Sequence, residues 1–210
     1  MVDAARLAMR ARRLRRAGRH PVLWLVTDPV RLPDPLAAAA ALARGSGVLA
    51  RGLAPPMRAR LAALARRRGL VLLVGADGRD ALAARAGLHL PDRRAANGVL
   101  PFLLARRAGA PGAMLTIAAH HGAASAARAR RLRPDLAFLS PLFATRSHPG
   151  APALGPLRWL AAARGLGVPA IALGGVAAGT AGQVPRRAAG LAAIDGLAPQ
   201  AVAPPPQCLR

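Results

Sequence analysis

Eight short apolar runs recur along this chain, and each is followed by a polar turn. They read VLWLV, VLA, LVLLV, GLHL, MLTIA, LAFLS, PAIAL and LAAI, beginning at residues 22, 48, 70, 87, 114, 136, 169 and 191. An Ala-, Leu- and Arg-rich segment of helical character follows most of the turns. This alternation predicts strands and helices in turn along the whole chain.

The apolar runs do not alternate with polar residues, so both faces of each strand are predicted to be buried, as in parallel strands covered by helices. Eight β/α units in 210 residues predict an α/β fold, a compact single-domain (β/α)8 TIM barrel. A doubly wound open sheet with fewer strands is the alternative. After Asp195 the chain reads LAPQAVAPPPQCLR, and its prolines predict a truncated last helix.

The chain divides into three segments by composition. Residues 1–20 form a basic segment, predicted to be an extra N-terminal helix, in which Leu7 and Leu14 give only a narrow apolar stripe. It is expected to cover the flank that the truncated last helix leaves open, to bind an anion or to fray. The barrel is predicted over residues 21–197, and residues 198–210 are a Pro-rich tail.

The charge balance is strongly basic, with 31 Lys and Arg against 8 Asp and Glu and a formal net charge of +23. Nucleic acids and anionic membranes are typical partners of such proteins. However, every base is Arg and every acid is Asp, a bias that a GC-rich coding sequence would also produce, and aromatic residues make up only 2%. Stacking platforms for nucleic acid are therefore scarce, and nucleic acid is not the expected partner.

Neither a membrane span nor an export signal is expected. The longest uncharged run, residues 165–185, is interrupted by six Gly and Pro residues within it, and the N-terminal apolar core is too short for a signal peptide. We expect a cytoplasmic protein. The single cysteine, Cys208, can form no internal disulfide.

In a barrel of this class, function is located at the carboxyl ends of the strands. Most polar residues other than Arg follow the predicted strands, including four of the five histidines. Among them, an Asp just before a helix, as at Asp28 and Asp77, is most often an N-cap, and His89, within an apolar strand, is interpreted as a core histidine. The positions are Asp28, Asp77, His89, Asp92, His120, His121, Thr145, Ser147, His148 and Asp195.

Two segments indicate an anion site. The stretch SPLFATRSHPGAPALG, residues 140–155, places hydroxyl and cationic donors on one bend. Gly174 and Gly175 follow the seventh strand, and their backbone N–H groups can approach a ligand closely because no side chain intervenes. Phosphate sites in barrels are often built from the loops after strands seven and eight. We expect the bend to face the double glycine across one opening.

The second half of the chain resembles a known family. SPLFATRSHPGAPALGPLRWL, VPAIALGGV and AAGLAAIDGL are similar to successive motifs of the thiamine-phosphate synthase and thiazole tautomerase family. WLVTD, AGLHLP and IAAHHGAASAARA extend the resemblance to nearly the whole chain from Val22 to Leu197.

The resemblance implies a transferase that joins a pyrimidine methyl diphosphate to a thiazole phosphate with Mg²⁺. It places the leaving diphosphate on the 145–148 bend and the thiazole phosphate on the double glycine and the backbone around Asp195. Arg51 is retained from the family's second-strand signature, and Arg146 can add a bidentate contact to the diphosphate. The implied substrate-binding residues are Arg51, Thr145, Arg146, Ser147, Gly174, Gly175 and Asp195, with His148 as a catalytic residue where the family has Lys.

The chain departs from the family's pattern at its acidic and basic positions. The remaining candidates for the Mg²⁺ ligands are Asp77, displaced along the chain, and Asp92, a substitute. Asp195 stands where a phosphate-binding Ser is expected, and its carboxylate would repel a phosphate unless arginines screen it.

Two further functions stay open. In the tautomerase branch no metal is needed, and His120 aligns with a histidine that would act as the acid and base. The third possibility is a barrel that binds a phosphorylated ligand without catalysis. In all three cases the partners are small phosphorylated molecules.

Overall fold

Eight parallel strands close into a ring in the computed structural model, which describes residues 2–14, 20–92, 95–147, 150 and 152–198. The ring closes where β8 pairs with β1, with Leu23 opposite Leu191. This pairing confirms the predicted (β/α)8 barrel and excludes the open sheet. The strands are β1 Leu23–Val26, β2 Gly47–Ala50, β3 Val71–Gly75, β4 Gly87–Leu90, β5 Leu115–Ala119, β6 Leu136–Leu139, β7 Ala170–Ala172 and β8 Gly190–Ala193.

Helices precede β1 and follow the first six strands. They are α1 Val2–Arg12, α2 Leu36–Ala40, α3 Pro55–Arg68, α4 Gly78–Ala83, α5 Val99–Arg107, α6 Ala123–Leu132 and α7 Gly155–Leu166. Short 3-10 turns, Ala181–Gln183 and Asp195–Leu197, follow β7 and β8 in the described part of the chain. None of the described helices has the length and apolar character needed to cross a membrane.

The strands bury both faces, as their sequences predict. Inside the ring, Trp24 and Phe138 meet edge to face with ring centroids 5.3 Å apart. Gly47 lies opposite Trp24, and a Cβ there would come within 2.1 Å of the indole ring. Outside the ring, Trp159 of α7 is buried and donates to the carbonyl oxygen of Leu139 at 3.1 Å.

The N-terminal helix α1 packs on the 3-10 turns that follow β7 and β8. The apolar stripe of the basic segment is covered, since Leu7 and Ala11 of α1 and Leu14 just after it are all buried, and Leu7 lies close against Gly196. Arg10 donates to the carbonyl oxygen of Val184. Of the three outcomes predicted for the basic segment, docking on the barrel is the one observed for α1.

In two connections the helix expected from the sequence is shortened or replaced by a turn. The helical segment predicted after β7 is a single 3-10 turn, because Gly179 and Gly182 favour helix weakly and Pro185 ends it. The Ala-rich segment after β1, PLAAAAALAR over residues 35–44, has helical character along its whole length, but the helix there is only Leu36–Ala40. The chain must then turn through Gly45, at φ +81°, to enter β2.

Candidate active site

A cavity of about 290 Å³ opens at the carboxyl ends of the strands. Three segments surround it: the bend after β6, the loop after β7 and the 3-10 turn after β8. Apolar side chains, among them Val26, Leu173 and Ile194, line its wall. The polar residues and glycines on the lining are Arg31, Arg51, Ser140, Thr145, Arg146, Ser147, Gly174, Gly175, Asp195 and Gly196. The structure therefore brings the described part of the bend and the double glycine together, as the sequence predicts.

Backbone hydrogen bonds hold the bend against the double glycine. The N–H of Leu142 donates to Leu173 at 2.9 Å, and the N–H of Phe143 donates to Gly174 at 3.0 Å. The approach is close: a Cβ on Gly175 would lie 2.3 Å from the carbonyl oxygen of Ala144. Gly175 also has φ of +64°, a conformation that side chains disfavour. The glycines are thus required by both space and backbone angle.

The loop after β7 that carries Gly174 and Gly175, here called the glycine loop, offers backbone donors to a ligand. Within the described part of the chain, the N–H groups of Gly174 and Gly175 donate to no protein acceptor. The hydroxyl of Thr180 donates to the carbonyl oxygen of Gly175 at 2.8 Å and accepts from the N–H of Ala177 at 2.9 Å, which fixes the shape of the loop. Such N–H groups at a cavity suit an oxyanion.

Arg31, in the connection after β1, is the central polar residue of the site. Its Nη1 donates to Asp195 Oδ2 at 3.2 Å, and its Nη2 donates to Asp28 Oδ2 at 3.0 Å and to Ser147 Oγ at 2.7 Å. Arg146 donates to the same oxygen of Asp195 at 2.8 Å. The two arginines thus screen the charge of the Asp195 carboxylate. A phosphate can bind beside Asp195 only if its charge is screened in this way.

Asp28 holds two of the arginines in place. Its Oδ2 accepts from Arg51 at 3.1 Å as well as from Arg31, and its Oδ1 accepts from the N–H groups of Val30 and Arg31. Burial alone would raise the pKa of Asp28, but these hydrogen bonds, chiefly those from Arg31, lower it to about 2. The N-cap interpretation of Asp28 is wrong, because α2 begins only at Leu36.

Sequence reasoning missed Arg31. One arginine among so many carries no signal of its own, and its partner Asp195 is 164 residues away in the chain. The local clue is its spacing of three residues from Asp28, just after a strand. The bend residue Thr145 accepts from the N–H of Ser147 at 3.3 Å, and His148 lies outside the described residues.

Replacing Asp28 by Asn should lower the free energy of unfolding by about 2 kcal/mol at pH 7. Asn keeps an acceptor for the turn but loses the charge, and a pKa lowered from about 4 to about 2 corresponds to this energy. Because the folded-state pKa is the lower one, the contribution is present above pH 4 and is lost as the pH falls towards 2. Urea denaturation at pH 7 and pH 2.5 measures both.

The matched control for that prediction is Asp34→Asn. Asp34 is exposed and accepts from the N–H of Leu36, a bond that Asn preserves. The free energy of unfolding of the Asp34→Asn variant should therefore change by less than about 0.5 kcal/mol. Equal losses in the two variants would contradict the role of Asp28.

His120 does not line the cavity. Its Nδ1 donates to the carbonyl oxygen of Ser140 at 3.0 Å, and its Nε2 lies 3.7 Å from Asp92 Oδ2. Arg128 lies 3.9 Å from the other oxygen of Asp92 and donates to the carbonyl oxygen of Pro91. His120 is therefore held beside the strand end, behind Ser140, which does line the cavity.

The carboxylates in the described part of the chain do not fit a Mg²⁺ site. Asp77 is the N-cap of α4, as predicted, and its Oδ1 accepts from the N–H groups of Arg79 and Asp80. Asp92 interacts with His120 and Arg128, and neither Asp77 nor Asp92 is part of the cavity lining. No three His, Cys, Asp or Glu side chains come together as a metal site in the described residues. The assignment of Asp77 and Asp92 to Mg²⁺ has no support from this geometry.

His89 is a core histidine, as interpreted from the sequence. It is buried inside the ring, with Nδ1 2.9 Å from Thr116 Oγ1, and it packs edge to face on Phe138. Burial, and then the charges of Arg51 and Arg128, lower the pKa of His89 to about 3. It is therefore neutral at physiological pH.

Comparisons with known proteins agree with the resemblance seen in the sequence. No curated protein sequence matches the chain. Among solved structures, the thiamine phosphate pyrophosphorylase from Pyrococcus furiosus is similar in fold, with a TM-score of 0.63 and 19% identity over 84% of this chain and 87% of that one. The family model described as thiamine monophosphate synthase matches residues 56–197. The chain belongs to the thiamine monophosphate synthase family.

Proposed function

We propose that this chain joins a pyrimidine methyl diphosphate to a thiazole phosphate, forming thiamine phosphate and pyrophosphate. The bond between the pyrimidine methylene carbon and the diphosphate oxygen breaks, and its electron pair leaves with the diphosphate. The lone pair of the thiazole nitrogen then forms the new bond to that carbon. The observation that carries the proposal is the convergence of Arg31, Arg51 and Arg146 on a cavity that the double glycine also lines.

The arginines support the step in which charge develops. As the carbon–oxygen bond breaks, negative charge grows on the departing oxygen, and fixed guanidinium donors stabilise that charge more than they stabilise the bound substrate. Asp28 and Asp195 hold Arg31 in position before substrate arrives, so little reorganisation is needed. The apolar wall formed by Val26, Leu173 and Ile194 suits two aromatic rings and keeps water from the pyrimidine cation.

The glycine loop supports binding of the second phosphate. The N–H groups of Gly174 and Gly175 would hold the thiazole phosphate, as inferred from the resemblance, while Thr145 and Ser147 order the bend opposite. His120 would be the acid and base of the isomerase alternative. That alternative is not favoured, because His120 does not line the cavity and its ring nitrogens face protein groups, the carbonyl oxygen of Ser140 and the carboxylate of Asp92.

The proposal is tested by incubating the protein with both precursors, with and without Mg²⁺, and quantifying the products by chromatography. We expect thiamine phosphate and pyrophosphate in equal amounts. Arg51→Gln should lower kcat roughly hundredfold, as loss of a transition-state donor does. Arg60→Gln, an exposed change on α3 with the same loss of charge, should leave it unchanged.

Two other results would contradict the transferase, and a third would contradict the role given to Arg51. Binding of each precursor without product would indicate the non-catalytic barrel. Isomerisation of the thiazole alone, abolished by His120→Ala, would indicate the tautomerase. Turnover that Arg51→Gln leaves intact would remove Arg51 from the mechanism.

A further inference from the structure

The three arginines at the cavity form one continuous array. Arg31 and Arg51 donate to the same oxygen of Asp28, at 3.0 and 3.1 Å. Arg31 and Arg146 donate to the same oxygen of Asp195, at 3.2 and 2.8 Å. Arg31 belongs to both pairs, so two carboxylates gather three cations at one rim.

The array keeps positive charge for a ligand. Three guanidinium groups and two carboxylates leave one net positive charge. A guanidinium carries five N–H donors in a planar fork, and the side chain of Arg146 is 76% exposed, so much of its fork faces solvent. A phosphate entering the cavity can therefore share these arginines with Asp195.

The carboxylates of the array are poor ligands for a divalent cation. Both oxygens of Asp28 already accept hydrogen bonds. Oδ1 accepts two from backbone N–H groups, and Oδ2 accepts two from arginine side chains. The oxygen of Asp195 that faces the array accepts two more. A divalent cation there would lie beside three guanidinium groups and would be repelled by them.

We propose that Arg31 and Arg146, together with Arg51, replace a divalent cation as the counter-charge for a phosphate or diphosphate ligand, so that this chain binds the anion without Mg²⁺. The inference rests on the proposed function for the identity of the ligand and adds how its charge is neutralised. Guanidinium pairs with phosphate oxygens through two parallel hydrogen bonds, a geometry that suits a site with pre-positioned arginines.

Calorimetric titration with inorganic pyrophosphate, once in EDTA and once in Mg²⁺, tests this inference. We expect binding in EDTA at least as tight as in Mg²⁺. In EDTA, Arg31→Gln and Arg146→Gln should each weaken binding about tenfold, the loss expected for one charge-assisted contact. Arg60→Gln should change it less than twofold.

Two results would overturn the inference. One is pyrophosphate binding that disappears in EDTA and returns with Mg²⁺. The other is an equal loss in Arg60→Gln and Arg146→Gln, which would mean that only the overall charge of +23 attracts the anion. Because Arg146 is mostly exposed, its variant tests the array even if Arg31→Gln disturbs folding.

The outcome separates this inference from the proposed function. Pyrophosphate binding in EDTA without any thiamine phosphate synthesis supports the arginine array and contradicts the transferase. Thiamine phosphate synthesis together with pyrophosphate binding that requires Mg²⁺ supports the transferase and contradicts the arginine array.

Discussion

Replacing Gly175 by Ala is expected to destabilise the fold by about 2 to 4 kcal/mol and to weaken pyrophosphate binding about tenfold or more. The new Cβ would lie 2.3 Å from the carbonyl oxygen of Ala144 and 2.7 Å from the Cβ of Phe143. The oxygen belongs to the backbone, so no rotamer change relieves the contact, and φ of +64° adds strain. The bend must move away from the loop after β7, which opens the cavity between them.

Gly179→Ala is the matched control, four residues further along the same loop. A Cβ on Gly179 meets nothing within 4 Å, and its φ is outside the left-handed region. We expect its stability and pyrophosphate affinity to match those of the original chain within about 0.5 kcal/mol. Urea denaturation and calorimetry measure both quantities. If Gly175→Ala behaved like Gly179→Ala, the close approach of bend and glycine loop would be wrong.

The barrel could be predicted because its signal is repeated and local. Each strand is a short apolar run, and each turn is polar, so eight weak signals support one topology. The location of the site follows from that topology, since all carboxyl ends of a closed parallel ring lie on the same side. The proximity of Thr145 and Gly174 was therefore predictable without knowledge of any contact.

The polar contacts of the site could not be predicted in the same way. The N-cap role of Asp77, unlike its assignment to Mg²⁺, could be predicted because an N-cap depends on the next three residues only. Asp28 resembles Asp77 in its sequence context. However, its contacts with Arg31 and Arg51 depend on how the connections after β1 and β2 fold against each other. The contact of Arg31 with Asp195 exists only because β8 closes the ring beside β1, which a local pattern does not show.

The difference between local signals and contacts made in the folded chain also explains why the position of α1 could not be predicted. Its composition predicts a basic helix, but a narrow apolar stripe does not say what it packs against. The absence of a regular helix between β8 and Ala198 leaves the surface on which Leu7 packs, against Gly196. The position of α1 is thus fixed by a feature at the other end of the barrel sequence.

The buried histidine should make this barrel sensitive to mild acid. The pKa of His89 is lowered to about 3, first by burial and then by Arg51 and Arg128, whereas an unfolded histidine titrates near pH 6.5. Between these values the unfolded chain binds a proton that the folded chain does not. Stability therefore falls as the pH falls below 6.5, by about 1.4 kcal/mol per pH unit, or about 2 kcal/mol between pH 6.5 and 5.

His89→Asn should remove this dependence, since Asn can still bond to Thr116 Oγ1 but does not titrate. The free energy of unfolding, measured in urea between pH 7 and 5, should then fall less steeply than in the original chain by about 1.4 kcal/mol per pH unit below 6.5. His121→Asn, a change at an exposed histidine, should keep the original slope. The range lies above the pH at which carboxylates titrate, so the ion pairs of Asp28 stay intact throughout. Parallel curves for His89→Asn and the original chain would mean that His89 takes up its proton in the folded barrel, and that the interior around Phe138 admits the charge.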